Sequence, residues 1–179
     1  MCSRNFRLNT PDYSTSYWSV FKKYNLGECL GKIRKQMGAV TVVIQGEIIG
    51  PKIQKNKYKR SEYELYVFNL IVDGKLCCDS VMRDVCSRYG LNAVPLIGEY
   101  TLMDTIQGMV HVSESTSSIE SGVIQEGIVC RNYERGVKFV FTEKLDGQSG
   151  TFFISKNKNK LLSFFGNHDI GVCVLVILD

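Results

Sequence analysis

"TEKLDGQSGTFF", Thr142 to Phe153, carries a lysine and an aspartate two positions apart, then a glycine, then a β-branched and aromatic run. Strand-like stretches lie on both sides, at Val137–Thr142 and Thr151–Ile154, so the Lys-x-Asp-Gly sequence falls where one strand hands over to the next. Residues two apart on a strand share a face, which puts Lys144 and Asp146 together, with Gly147 ending the strand. A lysine becomes a nucleophile when it is partly desolvated or held near other cations, and an acid on the same face can then meet the ligand. Taken alone, the same spacing describes an ordinary charged turn.

Working outward, Thr10 to Ser16 offers N-caps to apolar residues at helical spacing: Tyr17, Val20, Phe21, Tyr24, Leu30 and Ile33. This predicts helix over about 15–36 with a break near Gly27. Asp79 or Ser80 caps a second helix that runs through Tyr89 and stops at Gly90. Val40–Ile49, Tyr63–Val72, Gly122–Arg131 and Gly171–Leu178 read as further strands. Many strands, few helices and hairpin-length connections predict an α+β fold of antiparallel sheets flanked by helices.

The chain has 179 residues, 44% apolar and 22% charged. This is enough for one folded domain with a real core and too short for two of ordinary size, so a single unit over residues 1–179 is expected. The net charge of +4 is mild, but basic residues bunch at Lys52, Lys55, Lys57, Lys59 and Arg60 and again at Lys156, Lys158 and Lys160. Each bunch is either a solvated loop or a phosphate contact. Seven cysteines without C-x-x-C spacing argue for free thiols. No signal core or membrane-length apolar run is seen, so a cytoplasmic protein without a membrane partner is expected.

Two acids sit in apolar, strand-like surroundings, where a carboxylate calls for a partner or a metal: Glu47 in "IQGEIIGPKIQKNKY" (Ile44 to Tyr58) and Glu126 in "QEGIVCRN" (Gln125 to Asn132). Between them lies "SEYELYVFNL" (Ser61 to Leu70), and "GVKF" ends at Phe139. Together with "SRN" (Ser3 to Asn5) and the lysine stretch, these segments resemble the adenylation domain of ATP-dependent RNA ligases. That domain belongs with the covalent nucleotidyltransferases, and "GEIIGPKIQ" followed by "YVFN" is similar to the nick-sealing RNA ligases in particular.

The resemblance implies a nucleotidyltransferase (ATP-grasp-like) adenylation domain that uses ATP with Mg2+ or Mn2+. Lys144 would attack the α-phosphate and hold AMP, with Asp146 and Ser149 orienting ribose and phosphate. Arg4 and Asn5 would lie at the phosphate or ribose, Glu47 at the ribose, and Phe68 on the adenine. Glu126 would bind the metal directly or through water, and Lys138 would neutralise the α-phosphate. The partner implied is RNA with 5′-phosphate and 3′-OH ends, nicked or duplex, which Lys52, Lys55, Lys57, Lys59 and Arg60 would help to bind. Read one at a time, Phe68 also fits a core residue, Arg4 a loose terminal residue and Glu47 the partner of a neighbouring lysine.

The motif order departs from the family, whose lysine motif comes first; here it comes last, so the chain reads as a circular permutation. "FFGNHDIGVC" (Phe164 to Cys173) leads into "CSRNFRL" (Cys2 to Leu8) as if the parent chain ran through that point. "VLVILD" (Val174 to Asp179) matches nothing in the parent pattern and reads only as an apolar strand. "KFVFTE" contains no turn residue, so at about 3.3 Å per residue the Cα atoms of Lys138 and Lys144 are expected roughly 20 Å apart. Val140 stands where the family has its second lysine, and the accessory nucleic-acid domain has no counterpart. The alternative to an active ligase is therefore an impaired nucleotide- or RNA-binding module, or a rearranged fragment of a ligase.

Overall fold

Val42, Ile44 and Ile48 fall on alternate positions of one strand, β3 (Thr41–Ile49), and all three are buried on the face that the helices cover. The computed structural model describes residues 2–3, 6–7, 12, 14–101, 106–132, 138–155 and 174–176. β3 pairs antiparallel with β4 (Glu64–Val72) on one side and with β10 (Gln148–Ser155) on the other. Outward from β4 come β5 (Lys75–Leu76) and, in parallel, β6 (Asn92–Ala93). On the far edge of β10 lie β1 (Cys2–Ser3), itself paired with β2 (Phe6–Arg7), and β11 (Val174–Val176), which runs parallel to β10. A second sheet has the order β7–β9–β8, built from Leu96–Thr101, Lys138–Lys144 and Gly127–Arg131.

Helices α1 (Ser16–Lys23), α2 (Leu26–Gln36) and α3 (Asp79–Tyr89) contribute to the core on one face of the large sheet. Val20, Leu26, Leu30 and Ile33 meet Val42, Ile44, Val67, Leu70 and Phe152 in that core. Thr15 caps α1, its hydroxyl accepting from the Trp18 N–H at 3.4 Å. The break between the first two helices falls at Tyr24 and Asn25, near Gly27 as expected. Asn25 adopts a left-handed conformation at φ 45°, which asparagine tolerates better than most residues, and Gly27 stays inside α2. α3 stops where the sequence predicts, at left-handed Gly90.

Several boundaries differ from the sequence reading. β9 continues through Lys144 and β10 begins at Gln148, because the two sheets extend pairing up to the Lys-x-Asp-Gly turn. β8 starts only at Gly127; the residues before it form a turn, with Gly122 at φ 77°. β7 and α4 (Ile106–Ser113) carry too little periodic signal to be read from sequence, and β7 is held by its pairing with β9. Two pairings, β4 with β6 and β10 with β11, are parallel rather than antiparallel.

β4 contains a bulge. Gln45 faces Asn69 while Gly46 faces Val67, so Phe68 is the extra residue. A Cβ at Gly46 would stand 2.7 Å from the Tyr66 carbonyl oxygen, which is why glycine fits there. The bulge shifts the phase of β4, so the core-facing set runs Leu65, Val67, then Leu70. Leu30 is fully buried at the centre of the core, and Leu30→Ala is expected to destabilise the fold by about 2–5 kcal/mol. Urea unfolding checks this: the midpoint should fall with an unchanged slope, and a change below about 1 kcal/mol would show that Leu30 does not anchor the core.

Candidate active site

The face of β3 opposite the main core carries Val43, Gln45, Glu47 and Ile49. Register with β10 puts Ser149 directly opposite Glu47, and the Ser149 hydroxyl donates to Glu47 Oε2 at 2.7 Å. The strands can close up because Gly147 has no side chain: a Cβ there would lie 2.5 Å from the Ile48 carbonyl oxygen and 2.7 Å from Glu47 Cγ. Glycine is therefore required by close approach, at the third position after the lysine.

Lys144 ends β9, where it faces Gly127 of β8, and Glu126 immediately precedes that partner. Its ammonium donates to Glu126 Oε1 as an ion pair. Leu145 is buried with Ile49, Tyr58 and Val94, fixing the turn from below. The Asp146 N–H donates to the hydroxyl of Tyr58 at 2.9 Å, and the Asp146 carboxylate lies 3.9 Å from Lys57 Nζ. Burial pushes the Glu47 carboxyl up to about 7; the Ser149 hydrogen bond opposes the rise, the charges of Glu126 and Asp146 add to it, and Lys144 offsets part of it.

The structure thus brings together Lys144, Glu126, Asp146, Glu47 and Ser149, which the sequence scatters over more than a hundred positions. Phe68 lies at the β4 bulge, packed against the cluster around Tyr58 and Leu145. Arg131 of β8 donates from Nη1 to the Phe68 carbonyl at 2.8 Å, with its guanidinium carbon 5.8 Å from the ring centre. Lys138 is not brought to the group: β9 runs unbroken, with Lys138 facing Thr101 at one end and Lys144 facing Gly127 at the other. Arg4 and Asn5 lie outside the described residues, as do Lys156, Lys158 and Lys160.

The basic loop divides. Lys59 pairs with Glu120 at 3.4 Å; Arg60 approaches Glu64 at 3.6 Å and donates to the Ile119 carbonyl; Lys57 turns to Asp146. Lys52 and Lys55 are exposed. Sequence reading missed Tyr58 and Arg131, although both stand in the quoted segments; an aromatic ending a basic run and an arginine ending a strand gave no sign of what they would touch. Cys29, Cys77, Cys78, Cys86 and Cys130 are free thiols.

Among the described residues, no three carboxylate, imidazole or thiol groups converge on a cation position. Glu126, the acid expected to bind the metal, is a carboxylate of the kind that holds Mg2+ or Mn2+ together with substrate phosphate oxygens. Chemically, the cluster offers an amine with a carboxylate at its nitrogen, two further carboxylates and a hydroxyl.

The family model described as RNA ligase matches residues 1–138, ending before the lysine stretch. Three solved structures of Naegleria gruberi RNA ligase are similar. A lysine-to-methionine mutant with AMP and Mn and the form with PPi have TM-scores of 0.61 and 0.62, each at 20% identity, covering 93% of this chain and 45% of that one. A lysine-to-alanine mutant in its apo form has a TM-score of 0.58 at 20% identity, with coverage of 89% and 43%. This chain therefore spans less than half the length of those ligases, and at 20% identity the likeness shows the fold alone, an α+β arrangement of antiparallel sheets and helices. No curated protein matches the chain.

Two expectations follow. Tyr58→Phe removes the acceptor for the Asp146 N–H and is expected to cost about 1 kcal/mol by urea unfolding; no change would mean that another group holds the turn. Glu47 binds its proton more tightly folded than unfolded, so stability falls as pH rises from about 4.5 towards 7. Glu47→Gln should therefore be more stable than the parent at pH 8, with the gain shrinking by pH 5; an equal difference at both values contradicts the assignment.

Proposed function

Because the chain belongs to the RNA ligase family, we propose that it is an ATP-dependent nucleotidyltransferase that forms a lysyl-AMP intermediate and seals RNA ends. The observation that carries this reading is the cluster in which Glu126 meets the Lys144 amine and Glu47, bonded to Ser149, feels the charges of Lys144, Glu126 and Asp146. The Naegleria gruberi relatives were solved with AMP and Mn and with PPi, ligands that fit the same chemistry.

In the first step the Lys144 amine, having given up a proton, attacks the α-phosphorus of ATP. The N–P bond forms, the bond to the β-phosphate bridging oxygen breaks, and pyrophosphate leaves with the electron pair. Glu126 lies at the nitrogen, placed to receive the proton. In this reading Asp146 and Glu47 would meet the ribose, and Phe68 would stack on the adenine. Glu126 would hold Mg2+ or Mn2+, which would supply neutralisation of phosphate charge.

In the second step a 5′-phosphate oxygen of RNA attacks the same phosphorus and frees Lys144; in the third, a 3′-OH attacks the RNA phosphorus and AMP leaves. The exposed Lys52 and Lys55 are offered to the RNA backbone. We read the motif order as a circular permutation. Its support is that β1 and β11 lie on the same edge of β10, the nearness of chain ends that permutation needs.

Incubation with α-labelled ATP and a divalent metal should leave label on the protein through denaturing electrophoresis. Lys144→Ala is expected to abolish it, and Glu126→Ala to reduce it by about a hundredfold or more. Label that persists on folded Lys144→Ala protein overturns the assignment of the nucleophile.

A further inference from the structure

Lys144 poses a charge problem. To attack phosphorus its amine has to lose a proton, so the positive charge it brings to the site is gone when the bond forms. The side chains then left around it include Glu47, Asp146 and Glu126, whose negative charge would offset that of a divalent metal bound there. Phosphoryl transfer needs positive charge at the oxygens where negative charge develops. Lys138 stands at the other end of β9, and position 140 is valine.

One cation already reaches the turn. Lys57 Nζ lies 3.9 Å from Asp146 Oδ2, at the outer limit of an ion pair, with both side chains about one-third exposed. Such a pair is worth little, so its ammonium can be redirected with a small loss. The loop that carries it is built. Asn56 exchanges two hydrogen bonds with Arg60, accepting from its N–H and donating to its carbonyl, both at 2.9 Å. Tyr58, the next residue after Lys57, is buried and bonded to the Asp146 N–H. Lys59 and Arg60 are tied to Glu120 and to Ile119 and Glu64. The backbone on both sides of Lys57 is thus pinned, while its ammonium is the part left loosely held.

We propose that Lys57 is the second cation of the site, moving from Asp146 onto the phosphates of the bound nucleotide. This rests on Lys144 being the nucleotide-accepting residue. Asp146 holds the ammonium at the mouth of the site before ATP arrives, and the phosphates, carrying more charge than a single carboxylate, draw it away once bound. Lys57 therefore acts on the polyphosphate and not on the nucleoside.

The test uses the full chain and measures Lys144-dependent labelling against ATP concentration, together with its inhibition by pyrophosphate and by adenosine. Lys57→Ala is expected to need about tenfold more ATP for half-maximal labelling and to lose about tenfold in pyrophosphate inhibition, with adenosine inhibition unchanged. Lys57→Arg should recover most of the loss, and Lys75→Ala, an exposed lysine on β5 outside the loop, should behave as the parent. Urea unfolding of each variant separates folding from binding. Equal losses against pyrophosphate and adenosine, or no loss against either, overturn the proposal while leaving Lys144 as nucleophile. A parent protein that takes no label removes the ligase reading and this inference with it.

Discussion

The antiparallel pairing of β3 with β10 is the constraint on which the rest of the structure depends. It runs without a break from Ile48 opposite Gln148 to Thr41 opposite Ser155. One face of these two strands supplies Val42, Ile44, Phe152 and Ile154 to the core beneath the helices. The other presents Glu47 against Ser149. A slip of one residue would turn both sets over, placing a carboxylate in the core and leucine-sized groups in the site. Core burial thus fixes the register, and the register fixes the site.

The second sheet adds what this pairing lacks. β8 and β9 bring Glu126 to Lys144, and the short Leu145–Gly147 connection carries that lysine to the large sheet. Gly147 allows the crossing because any side chain would collide with the Ile48 carbonyl. The Lys144 amine therefore lies where two sheets meet, and Tyr58 locks the turn from the basic loop. The high proton affinity of Glu47 is the electrostatic consequence: a partly buried carboxyl with two acidic neighbours is hard to ionise until cations arrive.

The same geometry explains why Lys138 is remote. β9 is paired along its whole length, with β7 over Lys138–Thr142 and with β8 over Val140–Lys144, so Lys138 and Lys144 stay at its two ends. The loop between β3 and β4 is the element that brings a basic side chain, Lys57, to the Lys-x-Asp-Gly turn.

The sequence by itself determined much of this protein. Alternating apolar residues marked β3 and β4, Gly90 ended α3, whose N-cap is Cys78 rather than the expected Asp79 or Ser80, and Lys144, Glu47, Glu126 and Asp146 stood out because acids in strand-like runs and a lysine before a glycine turn are chemically unusual. These are local signals, carried by periodicity and by residue type. What only the tertiary structure decided are facts of distance: that Ser149 meets Glu47, that Glu126 meets Lys144, that the Tyr58 hydroxyl holds Asp146, and that Phe68 is the extra residue of a bulge. No local pattern encodes which strands become neighbours or where a bulge shifts their phase, because pairing is chosen by the burial of whole faces, to which residues far apart in the chain contribute together.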